Sequence, residues 1–202
     1  MPMSRRSLLG KALAGAALVG LPAAYSWGDD GRSSISPAVL RGAMDALQLH
    51  GAGIAHHDVI GIADFSFPSS AARFHVLDLT DGRVRSHLVA HGRGSDPEHT
   101  GWLERFSNEP HSYATSAGAF RTQGIYHGQH GQSIRLDGLD ASSSNAASRA
   151  IVVHGAWYVS DDIAKEHGVL GRSEGCFALA PSSIAEVLAS LGSGRLIYAG
   201  KA

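Results

Sequence analysis

Two segments carry residue types that could do chemistry. One is Gly171-Arg172-Ser173-Glu174-Gly175-Cys176-Phe177-Ala178-Leu179, and the other is Ile151-Val152-Val153-His154-Gly155. A thiol attacks carbonyl carbon only as thiolate, so it needs a base or an imidazolium within hydrogen-bond reach. A working nucleophile therefore calls for a depressed thiol pKa and a path to solvent. His154 ends an apolar run that reads as a buried strand, and Gly155 turns the chain directly afterwards, which would aim the imidazole at a site from a rigid element. Gly175 has no Cβ, so a substrate carbonyl could approach the backbone N–H groups of residues 175 and 176 as an oxyanion hole. The 21 residues between His154 and Cys176 suffice for a loop closing over a cleft. On the residues alone, the opposite reading stands equally well. A Cys after a Gly also serves as a small buried hydrophobe, and His154 as a hydrogen-bonded core histidine.

The elements that must position these groups follow from periodicity. Ser36 caps a helix with Pro37 in its first turn, Val39, Leu40, Ala43, Met44 and Leu47 on one face, and Gly51 as its stop. The period then changes to two, giving strands at 59–65, 74–79 and 84–89, the last two joined through Asp81-Gly82 as a hairpin. Residues 92–112 are glycine-rich and polar, long for a plain loop, and read as a functional segment. Strands resume at 118–122, 133–136 and 150–154, with a polar loop at 138–148. A helix at 182–191 ends at Gly192, and a strand at 195–199 closes the domain. His167, among Lys165, Glu166 and Gly168, reads as part of a solvated loop.

The composition agrees with a β-rich domain. Of 202 residues, 44% are hydrophobic, 17% are charged and 25 are glycine, so a core can form and turns are plentiful. Setting aside Arg5, Arg6 and Lys11 leaves 14 basic against 18 acidic groups. No basic stripe remains to neutralise a phosphate backbone, so nucleic acid is not an expected partner. Residues 1–26 read as an export signal of the twin-arginine type. Arg5-Arg6 precede an uncharged run too short to anchor in a bilayer, and Ala24-Tyr25-Ser26 place cleavage near Trp27. The division expected is then a signal at 1–26, a linker at 27–36 and a catalytic domain at 37–202, periplasmic after cleavage and without a stable membrane anchor. Cys176 is the single cysteine. It has no disulfide partner in the chain, and in an oxidising compartment it is either buried or used.

The linked motifs resemble the L,D-transpeptidase catalytic domain family (YkuD type), murein L,D-transpeptidase subgroup. His154 to Ser160 match H-G-A-x-Y-V-S, and Gly171 to Cys176 match G-R-S-x-G-C. Thr115 to Phe120 are similar to the T-P-x-G-x-F strand entry with Ser116 for Pro, and Tyr126 to Leu136 lie where that family continues toward the His strand. The resemblance implies a mainly β fold, an L,D-transpeptidase-like β-sandwich of mixed sheets with a few short helices. It also implies an enzyme acting on peptidoglycan stem peptides with no cofactor. Cys176 would be the nucleophile and His154 the base, supported by Gly175, Ser173 and Gly155, with Arg172, Trp157, Tyr158 and Tyr126 as substrate-binding candidates. Two departures stand out. Glu174 occupies a slot where many members carry His, and the Arg that often follows the nucleophile is replaced by Phe177-Ala178-Leu179, which makes Arg172 the substitute for binding a carboxylate.

Three alternatives remain at this level. Water in place of an amine acceptor gives an L,D-carboxypeptidase or endopeptidase. A dead site would leave a wall-binding protein, though binding alone requires neither base nor thiolate. A metal centre would have to use His56-His57 or His127-x-x-His130, and neither has ligand spacing of a familiar kind, so no metal is expected.

Overall fold

The computed structural model describes residues 35–202. The expected export signal at 1–26, and the linker up to residue 34, lie outside the described residues. Eight strands form one hydrogen-bonded ring: β1 (Val59–Asp64), β2 (Ala72–Asp78), β3 (Val84–Ala90), β4 (Gly118–Gly128), β5 (Gly131–Gly138), β6 (Val152–Gly155), β7 (Phe177–Leu179) and β8 (Leu196–Gly200). Around the ring the order is β1-β2-β3-β7-β6-β5-β4-β8. The fold is mainly β with mixed pairing, as expected. Its two faces are not separate sheets, however, because β1 and β8 pair in parallel, Gly61 beside Ile197, and close the ring. The helices are α1 (Pro37–His50), α2 (Asp161–His167) and α3 (Ile184–Leu191).

Alternation along each strand sorts side chains between the two faces of the ring. Ala63, Phe74, Val76, Phe120, Val153, Phe177 and Leu179 share one core cluster, joined by Val187, Leu188 and Leu191 of α3. Ile60 and Ile62, on the other face of β1, pack instead against Val39, Ala43 and Ala46 of α1. Ala178 on β7 and Leu88 and Ala90 on β3 pack with Ala156, Val159 and Leu170, and Ile163 and Ala164 of α2 close over them. Burying a Phe or Leu fully contributes about 1.5–3 kcal/mol each, so the strands that carry the site are held by packing on both faces.

Three local expectations need correction. Ser36 occupies the position before α1, but its side chain makes no capping bond; its N–H is taken by the buried carboxylate of Asp64, Oδ2 at 2.7 Å. Gly155 does not turn the chain: it is the last residue of β6, and the turn follows, closed by Val159 N–H to Ala156 O at 3.1 Å. His167 is not in a loop but ends α2. Ser160 caps that helix by accepting from Ile163 N–H at 3.1 Å, and Gly168 ends it at φ +73°. With no fully buried residue in its seven, α2 lacks the apolar period that marked α1. No helix among the described residues is long and apolar enough to cross a membrane.

Candidate active site

β6 and β7 run parallel, with Val153 beside Phe177 and His154 beside Ala178. Val153 and Phe177 enter the core, so by alternation Val152, His154 and Cys176 emerge on the opposite face. Extending the register places Cys176 beside Val152, diagonal to His154. That face opens into a cleft of about 1100 Å³. The β4–β5 hairpin lines it through Tyr126 and His130, the 92–117 segment through His111 and Tyr113, and the nucleophile loop through Arg172, Ser173 and Glu174.

The nucleophile loop is fixed by backbone bonds. Ser173 donates its N–H to His91 O at 2.9 Å and accepts from Arg93 N–H at 2.7 Å, which pins it to the end of β3. Its hydroxyl donates to Cys176 O at 2.7 Å and accepts from Gly175 N–H at 3.2 Å. Ser173 therefore shapes the loop from within. The Gly175 amide is committed to it, so of the two amides expected to hold an oxyanion only that of Cys176 remains a candidate. Gly175 itself sits at φ +117°, and a Cβ there would meet Ala114 O at 2.7 Å and Arg149 Nη2 at 3.1 Å. Gly92 is equally constrained, since a Cβ on it would lie 2.7 Å from Gly175 N. Only glycine at both positions allows these two backbones to touch.

Cys176 is half-buried. Its thiol donates to Ala150 O at 3.6 Å, and among the described residues no hydrogen bond joins it to His154. Burial pushes the thiol up. Val152 N–H and the Arg149 charge pull the other way, and Glu174 adds to the rise. The depressed pKa expected of a nucleophile is not what these surroundings produce, because desolvating a thiolate outweighs one cation and one amide.

His154 is 3% exposed. Its Nδ1 lies 2.9 Å from Gly155 O. A carbonyl only accepts, so Nδ1 carries the proton and Nε2 keeps its lone pair. Burial lowers its pKa and the His130 charge lowers it further, against the Gly155 bond; the ring is a neutral base at neutral pH. His130, at the hairpin tip, stacks on it with centroids 4.3 Å apart.

The other candidates divide. Tyr158 lines the cleft, with its hydroxyl pushed up to about 12 by burial and by the charges of Cys176 and Glu174; it stays a neutral donor. Tyr126 also lines the cleft, with the Arg135 guanidinium 3.7 Å from its ring centre. Arg172 lines the cleft, but its Nη1 is committed to Asp96 O and to Pro97 O. Trp157 is not among the residues that line the cleft: it is 81% exposed, and its ring lies edge-on to that of Tyr158. His56-His57 and His127-x-x-His130 form no metal cage; among the described residues no group of three His, Cys, Asp or Glu could hold an ion. Reading the sequence missed Arg149 and His111, and weighed His130 only as a metal ligand. Arg149 follows a polar loop with no motif around it, and only the fold brings it to Gly175.

The sequence model of the L,D-transpeptidase catalytic domain matches residues 31–199. The chain belongs to that family. No curated protein matches it in sequence. Among solved structures the L,D-transpeptidase domain is similar to an L,D-transpeptidase from Mycobacterium smegmatis, at 18% identity and a TM-score of 0.43, covering 71% of this chain and 58% of that one. L,D-transpeptidase 3 from Mycobacterium tuberculosis, in complex with a faropenem-derived adduct, gives 16% and 0.44 over 70% and 60%. An L,D-transpeptidase from Stackebrandtia nassauensis gives 15% and 0.42 over 73% and 57%. The chain thus spans less than two thirds of these neighbours' lengths.

Proposed function

We propose that this L,D-transpeptidase domain is an acyltransferase that cuts and rejoins peptidoglycan stem peptides through a thioester on Cys176. The observation that carries the reading is that paired strands of one rigid ring deliver a neutral, tautomer-fixed His154 and a solvent-reachable Cys176 to the same cleft. His154 Nε2 takes the thiol proton as Sγ attacks the carbonyl of the third residue. The C–N bond breaks, the leaving amine of the terminal D-residue takes that proton, and an acceptor amine then displaces the thiol. The Cys176 amide and the neutral Tyr158 hydroxyl are the donors available to a developing oxyanion, and Tyr126 forms a wall for the stem. Burial holds the thiol high, so its proton passes to His154 in the course of the attack rather than ahead of it.

The reading includes export: a twin-arginine signal at 1–26, cleavage near Trp27 and a periplasmic domain at 37–202. Replacing Arg5 and Arg6 by Lys is expected to retain precursor in the cytoplasm. Mass spectrometry of purified muropeptides after incubation with the protein tests the chemistry. Crosslinked dimers or exchanged D-residues support it, tripeptides alone assign water as acceptor, and unchanged muropeptides with an unmodified Cys176 reject it.

A further inference from the structure

A fully buried row of charge lies beneath the nucleophile loop. Arg73 of β2 donates through Nη2 to His91 Nδ1 at 2.6 Å, so the ring's own proton sits on Nε2, 3.3 Å from Asp96 Oδ2. Both ends of the row are fixed by further bonds. Arg73 also donates to Phe67 O at 2.7 Å and to Val89 O at 3.2 Å, and Asp96 accepts from Thr100 N–H and Gly101 N–H, both at 2.8 Å. Taking a cation and a carboxylate out of water is costly, and apolar side chains of the same volume would fill the space without that cost. What the row adds is a defined geometry for the turn that carries two of its members, residues 91–96.

That turn is the seat of the nucleophile loop. His91 O accepts from Ser173 N–H at 2.9 Å, Arg93 N–H donates to Ser173 O at 2.7 Å, and Asp96 O accepts from Arg172 Nη1. Gly92 is packed so closely that a Cβ on it would lie 2.7 Å from Gly175 N. Ser173 in turn bonds Cys176 O and Gly175 N–H through its hydroxyl. A shift of the His91 backbone therefore meets no slack before it reaches Cys176. The charges around the ring favour one arrangement. Arg73 of β2 and Arg172 of the nucleophile loop oppose a charge on His91, Asp96 favours one, and Asp64 of β1 acts at one remove, on Arg73. A ring with one proton satisfies both of its neighbours, whereas a second proton would set an N–H of the ring against those of Arg73.

We propose that Arg73, His91 and Asp96 form a positioning device for the nucleophile: bonded on both sides, a singly protonated His91 keeps Ser173 seated and Cys176 in line for attack, and loss of those bonds frees the loop. This rests on the proposed acylation of Cys176. None of the three residues lines the cleft. They act through Ser173, on the rate of attack rather than on the binding of the donor.

The test compares His91→Gln, whose amide can accept from Arg73 and donate to Asp96 without titrating, with His91→Leu, which can do neither. Release of the terminal D-residue from a stem tetrapeptide is measured at pH 7 with the full chain, in proteins of native circular dichroism. His91→Leu is expected to lower kcat by about 10- to 100-fold with KM within about threefold, and His91→Gln to keep kcat within about threefold of the parent. Labelling of Cys176 by dithiodipyridine, which reacts with thiols in acid as well as at neutrality, reads the loop independently of the chemistry. It should be faster in His91→Leu than in the parent. In the parent it should speed up from pH 7 toward pH 4, as His91 takes a second proton and the circular dichroism stays native, whereas His91→Gln should stay flat. A folded His91→Leu with the parent's kcat and labelling rate overturns the assignment, as does a His91→Gln no more active than His91→Leu. If His91→Leu does not fold, a parent labelling rate that is flat from pH 7 to pH 4 overturns it. If the parent releases no D-residue, the acyltransferase reading falls and the labelling rates decide alone: faster labelling of His91→Leu supports the positioning role, and equal rates overturn it.

Discussion

The ring of His130 lies over that of His154, with centroids 4.3 Å apart and planes inclined by 26°. The two come from different elements, the hairpin tip and β6, so the stack braces the base from the side that its Gly155 bond does not reach. An aromatic pair of this kind contributes about 0.5–1.5 kcal/mol. His130→Ala is expected to slow acylation of Cys176 by about two- to tenfold, and His130→Phe to restore most of the rate. A charged His130 helps hold the His154 pKa down, so the Phe variant should lose activity at a higher pH on the acid side than the parent does. Rate profiles across pH 4–8 check this, and superimposable acid limbs would count against the stack.

His154 and His167 separate as base and bystander. His154 is buried in the cleft wall, whereas His167 ends α2, 58% exposed, with Glu166 as its ionic neighbour at 4.0 Å. His154→Ala should cut acylation by a donor tetrapeptide by about 10²- to 10⁴-fold. His167→Ala should stay within about tenfold, a barrier change of about 1.4 kcal/mol. Both proteins are first checked for native circular dichroism. The reverse order of rates would move the base to α2.

Burial raises the Cys176 thiol above its ordinary value. Iodoacetamide is expected to label Cys176 in the folded protein, because the residue lines an open cleft, but at a rate that keeps climbing above pH 9 without a plateau near neutrality. A plateau below pH 7 would contradict the electrostatics described, and labelling only in denaturant would make the residue a core cysteine.

Acid is expected to weaken the fold through two buried histidines. His91 accepts a 2.6 Å bond from the buried Arg73 guanidinium at Nδ1, while Nε2 lies 3.3 Å from Asp96; a second proton would set an N–H against Arg73. Burial, and for His91 the Arg73 charge, holds both His75 and His91 at about 4 against an ordinary 6.5. Their folded values are depressed, so the stability they contribute is fully present above pH 6.5 and is lost as pH falls toward 4. Each accounts for about 3 kcal/mol over that window. Urea midpoints measured from pH 7 to pH 4 should fall steeply, and a flat profile would sink the claim.

The two motif segments were legible because each is local: a β-branched run ending in His154, and the Ser173-x-Gly175-Cys176 turn. Helix α1 was legible from its apolar period. Helix α2 was not, although Ser160, Asp161, Asp162 and Gly168 carry cap and dipole signals, because no residue of it is fully buried. Trp157 was misplaced because the resemblance to a family motif fixes that an aromatic pair follows His154 but not which of its two rings faces the cleft, and the turn after β6 leaves Trp157 81% exposed. Arg149 was invisible for a different reason: its neighbours Ser107, Ala114 and Gly175 are near it only in the fold, and the apolar patterning that reveals strands says nothing about where an isolated cation is clamped. The thiol pKa was misjudged because a motif identifies a nucleophile by type, whereas desolvation depends on the walls of the cleft.

The parallel pairing of β1 with β8 bears on how the protein comes into being. Gly61 cannot meet Ile197 until nearly all of the intervening chain has been synthesised and gathered, and contacts so remote in sequence form late and slowly. While β8 is missing, β1 and β4 each expose an edge rich in unpaired amides, the kind of surface that seeds intermolecular association. The nascent chain is therefore most exposed to aggregation just before its final strand arrives. A chaperone that shields those edges would raise the yield of folded protein more than one that acts after the ring has shut.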